Sequence, residues 1–164
     1  MHKGYSQDKI YQELLVIFGN DDRDVTLNDL AQMVHLERAI KETMRLFPIG
    51  PVLGRSIDKD FVLDKYVLPK GSTLLIPVAL IHRDSSIWKN PLEFDPDRFL
   101  PEEFEKIPRD AYIPFGLPPR NCIGRRFAMM SMKVILSTIL RNFRVVSCQY
   151  SSIKEIKLRI NIII

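Results

Sequence analysis

The segment PFGLPPRNCIG, residues 114–124, carries a single thiol in a loop stiffened by Pro118 and Pro119, with Arg120 two positions before Cys122 and Gly124 two after it. Apolar residues recur at helical spacing directly after the sulfur. Cys122 is therefore expected at a helix N-terminus, where peptide dipoles and free N–H groups favour an anion. Arg120, Arg125 and Arg126 add positive charge within a few residues. Such surroundings suit a thiolate, which serves as a nucleophile or as a soft metal ligand. A nucleophilic cysteine needs a nearby base, and His2, His35 and His82 stand in no recognisable partner motif. Most lone cysteines simply fill core space; the surrounding charge argues against that here.

Three further groups have chemistry-bearing residue types. In KETMR, residues 41–45, Glu42 and Arg45 lie three apart and share a helix face. On spacing alone this is a surface pair contributing about 0.2–0.5 kcal/mol, and Arg38 is an equally good partner for Glu42. PDRF, residues 96–99, places Arg98 in a proline-rich stretch, and Arg55 follows the LFPIGPVLG run. His82, in HRDSSIW, reads as a hydrogen-bonded structural histidine.

The elements that must position these residues fall into three zones. Ile10, Leu14, Leu15, Ile17 and Phe18 predict a first helix that stops at Gly19 and Asn20; Thr26 to Asp29 resembles a capped helix start. Leu36, Ile40, Thr43, Met44 and Phe47 predict a helix that Pro48 ends. Between Val52 and His82 come short β-rich runs at Phe61–Leu63, Tyr66–Leu68 and Ser72–Ile76, which predict a small antiparallel sheet. Residues 84–121 hold seven of the eleven prolines and predict a long irregular stretch of functional character. Ile123 to Phe143 is apolar on most of its circumference and predicts a buried helix, and Val145 to Ile164 alternates like strands.

Composition narrows the class. With 46% hydrophobic and 27% charged residues the chain suits a soluble globular domain with one sizeable core. The net charge of +4 is scattered rather than gathered into a basic arm, so nucleic acid is not an expected partner. Two cysteines, Cys122 and Cys148, with no CxxC pair suggest neither a disulfide framework nor a cysteine-rich zinc site, and a reducing compartment is the simpler reading. No run of about 18 apolar residues could span a bilayer, and the first residues lack the apolar stretch of a signal peptide.

Phe115, Arg120, Cys122 and Gly124 resemble the haem-binding loop of the cytochrome P450 superfamily, the haem-thiolate monooxygenases, at four of its five fixed positions. The resemblance implies that Cys122 is the axial ligand to the iron of haem b. It implies too that Arg120 contacts a propionate, that Phe115 packs beside the sulfur, and that Gly124 lets the helix start lie close under the porphyrin. The fifth position, usually glycine, is Pro118, whose fixed φ cannot follow a glycine held at positive φ. Glu42 and Arg45 look like the family's ExxR motif, and Arg98 like its usual third member. Together they would form a buried ionic triad with a structural role. Arg55 falls where many members place a second propionate-binding arginine; an ordinary strand-edge arginine is the other reading.

By this resemblance residues 1–164 form a partial P450 domain, mainly α with a small antiparallel β-sheet, matching the C-terminal portion of the family's fold. The oxygen-activating helix, the distal pocket walls and the N-terminal anchor have no counterpart, so the chain is expected to be a fragment. For the parent protein the resemblance implies a monooxygenase that inserts one atom of dioxygen into a lipophilic small-molecule substrate. Electrons would come from an external NADPH-dependent reductase. KETMRLFP, HRD and PDRF look more like microsomal animal members, which implies the endoplasmic reticulum membrane, reached through a segment outside this chain. A haem-thiolate isomerase or dehydratase is the rival within the family. Outside it stands a non-catalytic, haem-free remnant or interaction module.

Overall fold

The computed structural model describes residues 7–146 and is mainly helical with a small antiparallel β component, as the sequence predicts. Helix α1, Gln7–Phe18, buries Ile10, Leu14 and Phe18, one residue per turn on a single face. It ends at Gly19, whose φ of +60 is the left-handed conformation that closes many helices and that glycine adopts without strain. Helix α2, Leu27–Gln32, starts with the capping box anticipated at Thr26: its hydroxyl accepts from the Asp29 N–H, and the Asp29 carboxylate accepts from the Thr26 N–H at 2.8 Å. Arg23 donates to both Asp29 oxygens at 2.6 and 2.9 Å, and with the Thr26 bonds this holds the carboxyl well below the usual carboxylate range.

Helix α3, Val34–Leu46, buries Leu36, Ile40 and Met44 toward α1 and α2, and turns Arg38, Glu42 and Arg45 to a second buried face. Phe47 leaves the helical region because Pro48 follows it. The strands pair as two separate ladders. β1, Leu53–Ser56, runs antiparallel to β4, Thr73–Ile76, with Arg55 opposite Leu74; β2, Phe61–Leu63, pairs with β3, Tyr66–Leu68. A short helix α4, Val78–Ile81, leads to His82. The proline-rich stretch holds only 3-10 turns at Pro96–Phe99 and Arg109–Ala111 and one short helix, α5, Pro101–Phe104. An aromatic group fills the space beneath it. Trp88 is fully buried and donates through Nε1 to the Ile81 carbonyl at 3.1 Å, while Phe99, Phe104 and Tyr112 meet edge to face or tilted.

Helix α6, Arg125–Asn142, corrects the sequence reading in two respects. It starts after Gly124, so Cys122 sits in the loop two residues ahead of the cap. Nor is it buried around its circumference. Met129, Met132, Leu136 and Leu140 pack on the core of α1, α2 and α3, whereas Phe127 is 76% and Ile135 57% exposed. Among the described residues, only α1 to α3 lie against it in any extent, and they cover one face. Of the strands expected over Val145 to Ile164, residues 147–164 lie outside the described residues.

Candidate functional site

Two constructions meet here: a buried ionic frame on α3 and a loop that presents Cys122. In the frame, Arg45 and Glu42 are both fully buried and form a two-pronged pair, Nε to Oε2 at 2.6 Å and Nη2 to Oε1 at 2.8 Å. Arg45 also donates to the carbonyls of His82 at 2.7 Å, Pro91 at 2.8 Å and Glu93 at 3.2 Å. All five guanidinium N–H groups are thereby used. The guanidinium also lies over the Trp88 ring, 5.1 Å from its centroid. Glu42 accepts in addition from the Asp95 N–H at 2.9 Å, and the Nε of Arg98 stands 3.4 Å from its Oε1. Arg98 is itself anchored to the Asn90 carbonyl at 3.0 Å. The structure thus brings Glu42, Arg45 and Arg98 together, and joins α3 to the stretch between residues 82 and 98. Arg38, a possible partner of Glu42 by spacing, faces Asp97 at 3.7 Å instead.

The loop is built from short-range bonds. The Gly116 N–H donates to the Ile113 carbonyl at 3.0 Å, and Gly116 has φ +73, which explains a glycine there. The Cys122 N–H donates to the Phe115 carbonyl at 2.8 Å, closing the loop on itself. Pro118 and Pro119, joined by a cis peptide bond, occupy its outer edge. Phe115 packs against the core of α1 to α3, and Cys122 is exposed. Gly124 has an ordinary φ of −83, and a side chain there would begin 3.8 Å from the Cys122 sulfur.

Beside the loop lies a cleft of about 470 Å³ whose walls are largely aliphatic, including Leu53, Ile76, Ile113 and Leu117. Arg55 and Arg120 both line it. The Arg55 guanidinium also donates to the Gly54 carbonyl at 2.8 Å. Asp110 lines the same cleft, so its mainly apolar wall bears two cations and one carboxylate, a net positive lining that suits an apolar ligand with acidic groups. Among the described residues no three of His, Cys, Asp and Glu converge on a point.

Two buried polar residues carry more than their sequence positions suggest. His82 is fully buried and accepts the Ile113 N–H at its Nε2, 2.9 Å away. Lys133 lies on the buried face of α6, its Nζ 2.8 Å from the Leu30 carbonyl and 2.5 Å from the Glu37 carboxylate. A charge standing in the apolar run FAMMSMKVIL was the one available signal for Lys133.

The cytochrome P450 family model matches residues 1–163. The chain belongs to the cytochrome P450 family. It is 41% identical over 162 residues to cytochrome P450 4g15 of Drosophila melanogaster, covering 96% of this chain and 28% of that protein. It is 46% identical over 144 residues to cytochrome P450 4V2 of Homo sapiens, covering 87% and 27%. With cytochrome P450 3A29 of Sus scrofa it shares 40% over 147 residues, covering 90% and 29%. The chain therefore spans less than a third of the length of these relatives. P450 proteins are haem-thiolate oxidoreductases, and the residues present fit a haem: an exposed thiol on a closed loop, an apolar cleft beside it, and two arginines on that cleft. No helix among the described residues is long and apolar enough to cross a membrane.

Proposed function

We propose that Cys122 is the axial thiolate of a haem b in a P450 monooxygenase, of which this chain supplies the C-terminal portion. The observation that carries this reading is the exposed sulfur on a loop closed by its own amide, next to an apolar cleft flanked by Arg55 and Arg120. Arg120 and Arg55 would hold the two propionates by charge-assisted hydrogen bonds. Phe115 braces the loop against the core, and Gly124 would let the helix start lie close under the porphyrin. Glu42, Arg45 and Arg98 keep the frame rigid beneath it. A bound haem supplies the iron at which dioxygen is activated, and a thiolate ligand favours cleavage of the O–O bond.

In the longer protein one oxygen atom would enter a lipophilic substrate and the other would leave as water. Electrons would come from an external NADPH-dependent reductase; exposed Arg125 and Arg126 offer an acidic donor protein a cationic approach. The animal relatives support residence at the endoplasmic reticulum membrane. Loading the chain with haem and recording the reduced carbonyl spectrum tests the ligand. A thiolate-type Soret band that vanishes in Cys122→Ser is expected. The same band in both forms would overturn the assignment, and no bound haem in either would sink the claim that this chain alone holds the cofactor.

A further inference from the structure

We infer that His82 is the positioning residue that registers the cysteine loop against the ionic frame; its bearing on haem ligation rests on the reading of Cys122 given above. His82 touches both constructions at once. Its carbonyl accepts Arg45 Nη1 at 2.7 Å, and its ring Nε2 accepts the Ile113 N–H at 2.9 Å, across 31 residues of chain. The ring is stacked on Tyr112, centroids 5.3 Å apart, and the Tyr112 hydroxyl donates to the Lys41 carbonyl on α3 at 2.9 Å.

An imidazole that accepts at Nε2 must carry its proton on Nδ1. That Nδ1 is buried and makes no hydrogen bond. The ring's hydrogen bonding is therefore directed through Nε2, to the loop. Ile113 is 4% exposed, so its N–H has no water to turn to if the ring is removed.

From Ile113 the influence reaches Cys122 through two turns of main chain. The Ile113 carbonyl holds the Gly116 N–H at 3.0 Å, and the Phe115 carbonyl between them holds the Cys122 N–H at 2.8 Å. The carbonyl that fixes Cys122 thus belongs to the turn that His82 pins. No other side chain is seen bonding to the main chain of residues 113–122 among the described residues.

The test compares His82→Gln, His82→Asn and His82→Leu in the full haem-free chain, by amide hydrogen exchange. A glutamine oxygen reaches the place of Nε2, whereas an asparagine oxygen stops near Nδ1, so these two differ in the bond to Ile113 while both stay polar. Exchange at Ile113, Gly116 and Cys122 is expected to speed up about tenfold or more in the Asn and Leu variants, and to be largely restored in the Gln variant. Exchange at Leu14 and Ile40, in the core of α1 and α3, should change far less. The proposal is overturned if the Cys122 amide keeps its native rate while Ile113 speeds up, or if all these amides speed up by one common factor. Should the Leu variant not fold, the Gln and Asn pair decides it. Because no haem is involved, failure here leaves the ligand assignment standing, and a failed carbonyl spectrum leaves this one standing.

Discussion

Arg45 has no donor left to give. With five hydrogen bonds and complete burial, it differs in kind from Lys106 and Glu103, a pair of the same i,i+3 spacing whose side chains are more than half exposed. Removing one partner of a buried pair leaves the other charge uncompensated. Arg45→Ala is expected to destabilise the chain by about 3–5 kcal/mol in urea unfolding, and Lys106→Ala by less than about 0.5 kcal/mol. Arg45→Lys should recover only part of the loss, since a lysine offers three donors without the planar fork. Equal effects of Arg45→Ala and Lys106→Ala would sink the distinction. Spacing made the Glu42–Arg45 pair visible in the sequence, and motif likeness added Arg98. The carbonyls of His82, Pro91 and Glu93 were not visible, because every residue type carries a carbonyl and only the tertiary path of the chain selects three of them.

At the scale of elements, the local signals were legible and the long-range ones were not. The Thr26 capping box, the stop at Pro48 and the β2 and β3 runs depend on neighbours within a few residues. The circumference of α6 does not: its apolar composition could be read directly, but which side is covered depends on α1 to α3. The same holds for Lys133, whose acceptors lie 103 and 96 residues away. Its side chain is 8% exposed, whereas Lys41, the other partner of Glu37, is 33% exposed. Lys133→Met should therefore cost about 1–3 kcal/mol, through the unsatisfied Leu30 carbonyl and the loosened α6, and Lys41→Met less than about 1 kcal/mol. Thermal unfolding of the two variants checks the order; the reverse order would show that α6 is held by its methionines and leucines alone.

For the whole molecule, acid should act in two stages. Burial lowers the His82 pKa from 6.5 to about 4, so between those values the unfolded chain binds a proton that the folded chain refuses. Stability is then intact above about 6.5 and declines by roughly 3 kcal/mol as the pH falls to about 4. Asp29, held low mainly by Arg23, contributes stability that is present above the ordinary carboxylate range and is lost as the pH falls below it. Urea titrations at pH 7, 5 and 4 check this. His82→Gln should flatten the upper stage and leave the lower one, and a native curve flat down to pH 4 would contradict the buried neutral ring. The frame also imposes an order on biosynthesis. Arg45 waits for acceptors 37, 46 and 48 residues downstream, and Glu42 for an amide 53 residues on. As the nascent chain leaves the ribosome N-terminus first, α3 emerges with only its own internal pair made, and its knot is tied once Asp95 has followed. The Cys122 loop leaves the ribosome later than all of these partners, so it is the last of the two constructions to reach its place.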